Sequence, residues 1–180
     1  MMDRTGFQAD HFRMFGTNEK VWKHMLISHE LCYLRYLRKR QAAKSHFARR
    51  IYGLRQILFD RKYGLSILSD HIGDGLFIGH GHGINVHPSA VIGKNCNLNK
   101  NVTVGESMRG TRKGAPVIGN DVWIGTGAIV VGKITVGDDV LIAPNAFVNT
   151  DVPAHSVVTG NPCVIKPKED ATGGYILNRV

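Results

Sequence analysis

From residue 72 to residue 153 the apolar positions recur every six residues. Aliphatic side chains stand at Ile72, Ile78, Val86, Ile92, Leu98, Val104, Ile118, Ile124, Val130, Val136, Ile142 and Val148. A small residue often follows, as at Gly73, Gly93, Gly119 and Ala143. A second inward-type residue stands four places on, as at Ala90, Cys96, Val122 and Val140. The register slips twice. Two extra residues fall between Gly83 and Val86, and eight fall between Val104 and Ile118, where residues 107–114 read Ser-Met-Arg-Gly-Thr-Arg-Lys-Gly. A period of six fits neither an amphipathic helix nor a two-residue strand alternation. Fixed-period self-similarity predicts a solenoid, in which each coil buries its core only against its neighbours.

Upstream the period changes. Val21, Trp22, Met25, Leu26, His29, Cys32, Tyr33, Tyr36 and Leu37 follow three-and-four spacing and predict a helix from an N-cap at Asn18 to about Arg40. A second helix is expected from Ser45 to about Asp60, with Phe47, Ile51, Leu54, Leu58 and Phe59 on one face and Gly64 as its stop. Asp10 to Thr17 reads as an irregular lead-in. The chain thus divides into a helical segment (1–65), a solenoid (66–162) and a tail (163–180), whose Gly173-Gly174 break suggests flexibility.

Composition refines this picture at few points. Residues 1–64 hold 14 Lys/Arg against 5 Asp/Glu, while the rest of the chain is balanced, so the whole net charge of +9 belongs to the helices. A cap and subunit contact over the first coil is one reading of those helices. A hold on an anionic membrane surface is another. No recognition motif points to nucleic acid. No run of eighteen apolar residues exists, and residues 1–15 lack the apolar core of a signal segment. Cys32, Cys96 and Cys163 have no metal-ligand spacing, and Cys96 falls at an inward position, as a buried reduced thiol would. A cytoplasmic location is expected, with the inner membrane face as the place of the basic segment if it binds lipid.

Candidate chemistry is concentrated in Ile78-Gly79-His80-Gly81-His82-Gly83-Ile84. Glycines leave both imidazoles uncovered, and imidazole suits a general base near neutral pH. This segment, the two register slips and the Gly160-Asn161-Pro162 ending resemble the hexapeptide-repeat acyltransferases. The match is to the serine acetyltransferase group, and more closely to its sugar O-acetyltransferase relatives of surface polysaccharide synthesis. The resemblance implies a left-handed parallel β-helix of about four coils and acetyl-CoA as co-substrate, with no metal. It implies His80 as the base that activates an acceptor hydroxyl, without an acyl-enzyme. It also implies a homotrimer, with CoA in the groove between subunits along Gly125, Thr126, Pro144 and Asn149 and a phosphate near Lys166. Outward Trp123, Ile129 and Phe147 fit burial against a neighbour.

Candidate acceptor contacts are His82, at an inward position that shapes the corner, Asn85, and Arg109, Arg112 and Lys113 of the long loop, which reads either as a solvated loop or as a cover that binds an anionic acceptor or a CoA phosphate. The serine enzymes carry an acid fifteen residues before the catalytic His, where Leu65 stands here, and an Arg-His pair where Gly114 and Ala115 stand. On those departures a saccharide is the expected acceptor. Serine O-acetylation of cysteine biosynthesis is the alternative, followed by a non-catalytic scaffold and by a γ-type carbonic anhydrase built on His82 and His87.

Overall fold

The computed structural model describes residues 4–180, so the first three residues of the segment read above for a signal core lie outside it. Four helices, α1 (Gly6–Phe15), α2 (Val21–Ile27), α3 (His29–Ala42) and α4 (His46–Tyr63), precede a triangular parallel β-helix. Its first face stacks β1 (Ser66–Ile67), β4 (Asn85–Val86), β7 (Thr103–Gly105), β10 (Ile129–Val131) and β13 (Phe147–Val148). The second stacks β2 (His71–Ile72), β5 (Val91–Ile92), β8 (Val117–Ile118) and β11 (Thr135–Val136), extended by a bridge from Val136 to Val152. The third stacks β3 (Phe77–Gly79), β6 (Asn97–Asn99), β9 (Trp123–Ile124), β12 (Val140–Ile142) and β14 (Ser156–Thr159), which β15 (Val164–Pro167) joins antiparallel. The stack therefore has five coils, not four. The first begins at Ser66, and the last runs through β14.

All twelve period-six aliphatics are buried, and so are Ala90, Cys96, Val122 and Val140 behind them. Burial pushes the Cys96 thiol up to about 12, so it stays protonated. Two of the three corners are turned by residues in the left-handed region. Gly75, Asn95, Asp121, Asp139 and His155 form one ladder, and Gly64, Gly83, Asn101, Gly127 and Asn145 form the other. Gly, Asn and Asp tolerate this conformation best, which explains their recurrence there.

The helices close the open end of coil one. Arg13 donates to the Gly75 and Asn95 carbonyls, Arg38 to those of Ile72 and Gly73, and Arg40 to those of Ile67, Leu68 and Ser69. Asp10 is fully buried. It holds Arg38 through two bonds of 2.7 Å and accepts the Leu76 N–H at 2.9 Å. Unpaired backbone groups at the head of a solenoid are costly to bury, and these side chains satisfy them. Arg40 and Arg49 also pair with Asp70. Part of the basic excess that suggested a membrane contact is thus committed to the cap.

The helical segment differs from expectation at three points. Residues 6–15 are helical, because their buried face is Ala9, Asp10 and Arg13 and so shows no apolar period. The helix expected from Asn18 is two helices, with Lys20 as the residue before α2 and Ser28 capping α3 through the Leu31 N–H. On α4 most of the apolar face lies outside: Phe47, Ile51, Leu54 and Leu58 are exposed, while Gln56 is buried and Phe59 and Tyr63 pack on the core.

The tail is not loose. From β15 it returns along the corner of Asp139, Asp121 and Asn95. Ala171 and Thr172 donate to Asp139, Arg179 pairs with Asp121, and Val180 exchanges hydrogen bonds with Asn95. Asn178 donates to the Arg13 carbonyl of α1. Tyr175 covers Trp123, with ring centroids 5.1 Å apart, so this residue faces the chain's own tail.

Candidate functional site

His80 lies at the end of β3, exposed, in the left-handed region with φ 53°. The register fixes what is unusual there. Gly79 pairs with Asn99. The His82 carbonyl accepts the Asn101 N–H, as that of Lys100 accepts Gly127 and that of Thr126 accepts Asn145. His82 is therefore the counterpart of Lys100, and the two extra residues are His80 and Gly81. They do not lie after Gly83, as the spacing of aliphatics suggested. The His82 N–H donates to the His80 carbonyl at 2.6 Å, so the added pair closes as a tight three-residue turn that lifts His80 out of the coil.

The N-terminus of α3 grips this turn. Glu30 Oε1 accepts the Gly81 N–H at 3.1 Å, and its other oxygen accepts the Ser28 hydroxyl at 2.8 Å. The His29 ring nitrogen lies 3.2 Å from the Gly81 carbonyl, where a ring N–H would donate. Burial works to raise the Glu30 pKa, but its own N–H, Ser28 and Gly81 outweigh it and leave the carboxyl below its ordinary value. His29 stacks on Tyr63 at 4.1 Å, and His82 meets both rings edge-on. His82 is exposed rather than inward, because the added pair turns it out of the core column. Sequence reasoning missed Ser28, His29 and Glu30, since nothing in the local pattern links them to a segment fifty residues away.

Down the edge below His82 follow Lys100, Thr126 and Pro144, with Gly125 buried behind Thr126. The structure so brings His80, His82, Gly125, Thr126 and Pro144 to one edge. Asn85 is exposed at the start of β4, just past that edge. Asn149 ends the first face at the next edge, and Lys166 is exposed on β15. The long loop leaves that next edge too. Ser107 and Gly114 close it, Lys133 donates to the Arg112 carbonyl, and Arg112 pairs with Asp151 at 2.9 Å. Arg109 and Lys113 are exposed. Within one chain, Arg109, Arg112 and Lys113 stand across the first face from His80. His87 pairs with Glu106 at 3.1 Å. Among the described residues no three His, Cys, Asp or Glu stand together as metal ligands.

An exposed imidazole on a protruding turn therefore stands at the head of the edge that carries Lys100, Thr126 and Pro144. Residues 115–150 match the family described as bacterial transferase hexapeptide (six repeats). A serine acetyltransferase of Helicobacter pylori (strain ATCC 700392 / 26695) is 42% identical over 90 residues, covering 50% of this chain and 53% of that one. The apoenzyme of soybean serine acetyltransferase superposes with a TM-score of 0.72 at 24% identity, over 89% of this chain and 66% of that one. A serine acetyltransferase in complex with CoA does so at 0.71 and 22% identity, over 89% and 67%. These two show likeness of fold. Residues 115–150 thus carry the transferase hexapeptide repeat, and the coils are those of a left-handed parallel β-helix. The chain spans about half the length of the Helicobacter pylori relatives it matches. The matches overturn the expected saccharide acceptor and the tie to polysaccharide synthesis, because the relatives are serine acetyltransferases.

Proposed function

We propose that the protein is an acetyl-CoA-dependent O-acetyltransferase whose acceptor is L-serine, with His80 as general base. The observation that carries the chemistry is the exposed His80 on its three-residue turn, at the head of the Thr126–Pro144 edge. The names of the matched relatives support the acceptor. His80 takes the proton of the serine hydroxyl as its oxygen attacks the thioester carbonyl. A tetrahedral oxyanion forms, held by backbone N–H groups, and collapses to O-acetylserine. CoA leaves as thiolate and receives the proton from His80, so no acyl-enzyme forms.

Gly125, Thr126 and Pro144 line the path of the pantetheine arm, with Asn149 and Lys166 nearer the nucleotide end. In a three-fold ring, the loop of one copy meets the His80 edge of the next. Gly114 and Ala115 replace the Arg-His pair of the serine enzymes, so Arg109 and Lys113 are the exposed cations of that loop for the serine carboxylate. A cytoplasmic location, where acetyl-CoA is at hand, belongs to the same reading. Among the described residues no helix is long and apolar enough to cross a membrane.

The test is thiol release from acetyl-CoA with L-serine. Serine-dependent release is expected, and His80→Ala should lower kcat/KM roughly 10²–10⁴-fold, the usual worth of a positioned base. Activity retained in His80→Ala overturns the base, and absence of serine-dependent release overturns the acceptor.

A further inference from the structure

We propose that Glu30 is the positioning residue for His80, acting through the Gly81 peptide; the proposal rests on the reading of His80 as base. An imidazole on a protruding turn needs something to fix its aim. The acid that performs this in the serine enzymes would fall at position 65, where this chain has a fully buried Leu. Neighbouring Asp70 is tied to Arg40 and Arg49, and Asp74 accepts the Gly6 N–H.

Glu30 reaches the turn from another element. The N–H it accepts belongs to the peptide that follows His80, so the bond fixes the ψ of His80. His29 lies at the carbonyl of the next peptide, so both sides of Gly81 are held. The backbone of His80 needs such support. A non-glycine residue in the left-handed region is strained, and it persists where its surroundings over-determine it. Contact at Gly81 is close enough that a Cβ there would lie 2.7 Å from Glu30 Cγ and 3.0 Å from Ile78 Cγ2. Ser28, which also caps α3, ties the second carboxylate oxygen. The carboxylate is thus set by the start of α3, and the turn is set by the carboxylate.

Glu30→Ala is expected to lower kcat roughly 10–10²-fold, the scale of a misplacement of about 1 Å. KM for acetyl-CoA should not move, since the Thr126–Pro144 edge is untouched. Glu30→Gln keeps an oxygen for the Gly81 N–H and should recover kcat to within about threefold of the parent, where a merely structural loss would leave KM and melting temperature changed in both variants. Gly81→Ala, which displaces the same contact, should cost a similar factor. The double variant with Glu30→Ala should be no worse than the poorer single, as expected for one shared interaction.

Unchanged kcat in Glu30→Ala overturns the proposal, as does additivity in the double variant. If Glu30→Ala does not fold, Glu30→Gln and Gly81→Ala carry the test: near-parent kcat in the first with a loss in the second supports it, and any other pairing overturns it. His80→Ala measured alongside separates the two ideas. If that variant is inactive while Glu30→Ala is fully active, the base stands and the positioning role falls.

Discussion

Gly125 lies on the proposed path of CoA, but its glycine has a reason within the coils themselves. It is buried under the turn of the next coil, and a Cβ there would lie 2.6 Å from the Pro144 nitrogen and 2.9 Å from the Ala143 carbonyl carbon. The glycine lets two backbones touch. Gly125→Ala should force coils three and four apart, at about 1–3 kcal/mol for overpacking. It should lower the melting temperature by several degrees while the KM for acetyl-CoA stays near the parent's. A raised KM at unchanged melting temperature would show instead that the position is read by the ligand.

At the scale of elements, the repeat was written plainly in the sequence, because a coil that buries one aliphatic per six residues cannot vary it. Elements held by polar contacts were not. α1 buries Asp10 and Arg13 in place of an apolar stripe. The added turn at His80 and Gly81 lies four residues before the place the spacing suggested, because the aliphatics report where the core resumes, not where the chain bulges. In the candidate site, the placing of His80 at a coil edge with Thr126 and Pro144 below it was legible through the repeat, while Glu30 was not, since its contact crosses from a helix to a coil. The cap also yields a quantitative expectation. Asp10→Ala leaves Arg38 as a buried cation without its carboxylate and the Leu76 N–H without an acceptor. It should destabilise the chain by about 3–5 kcal/mol, read in denaturant melts. A loss below about 1 kcal/mol would mean that water replaces the carboxylate at the cap.

For the whole molecule the decisive contact is Asp139. Burial works to raise its pKa, but hydrogen bonds from Thr172, His155 and Ala171 outweigh it and bring the carboxyl down to about 2. A depressed carboxylate contributes stability that is complete above its ordinary value near 3.8 and is lost as pH falls toward about 2. The returning tail should therefore come away from the coils within that acid window. Protection of residues 171–180 against hydrogen exchange, taken relative to the intrinsic rate at each pH, should fall there in the parent as the pH is lowered from 5 to 2. In Asp139→Asn it should already be low at pH 5, and protection unchanged through the window would show that the tail is held by its other contacts.

That tail has a thermodynamic meaning as well. A linear stack of coils is a one-dimensional array, free to fray one repeat at a time from either end. Here the segment leaving the fifth coil runs back past the fourth, third and second, and bonds to the helix that covers the first. The tail thereby ties coils four, three and two to the helical cap along one corner. Opening any of these coils strips the tail from the others as well, so the stack should melt as one body rather than repeat by repeat.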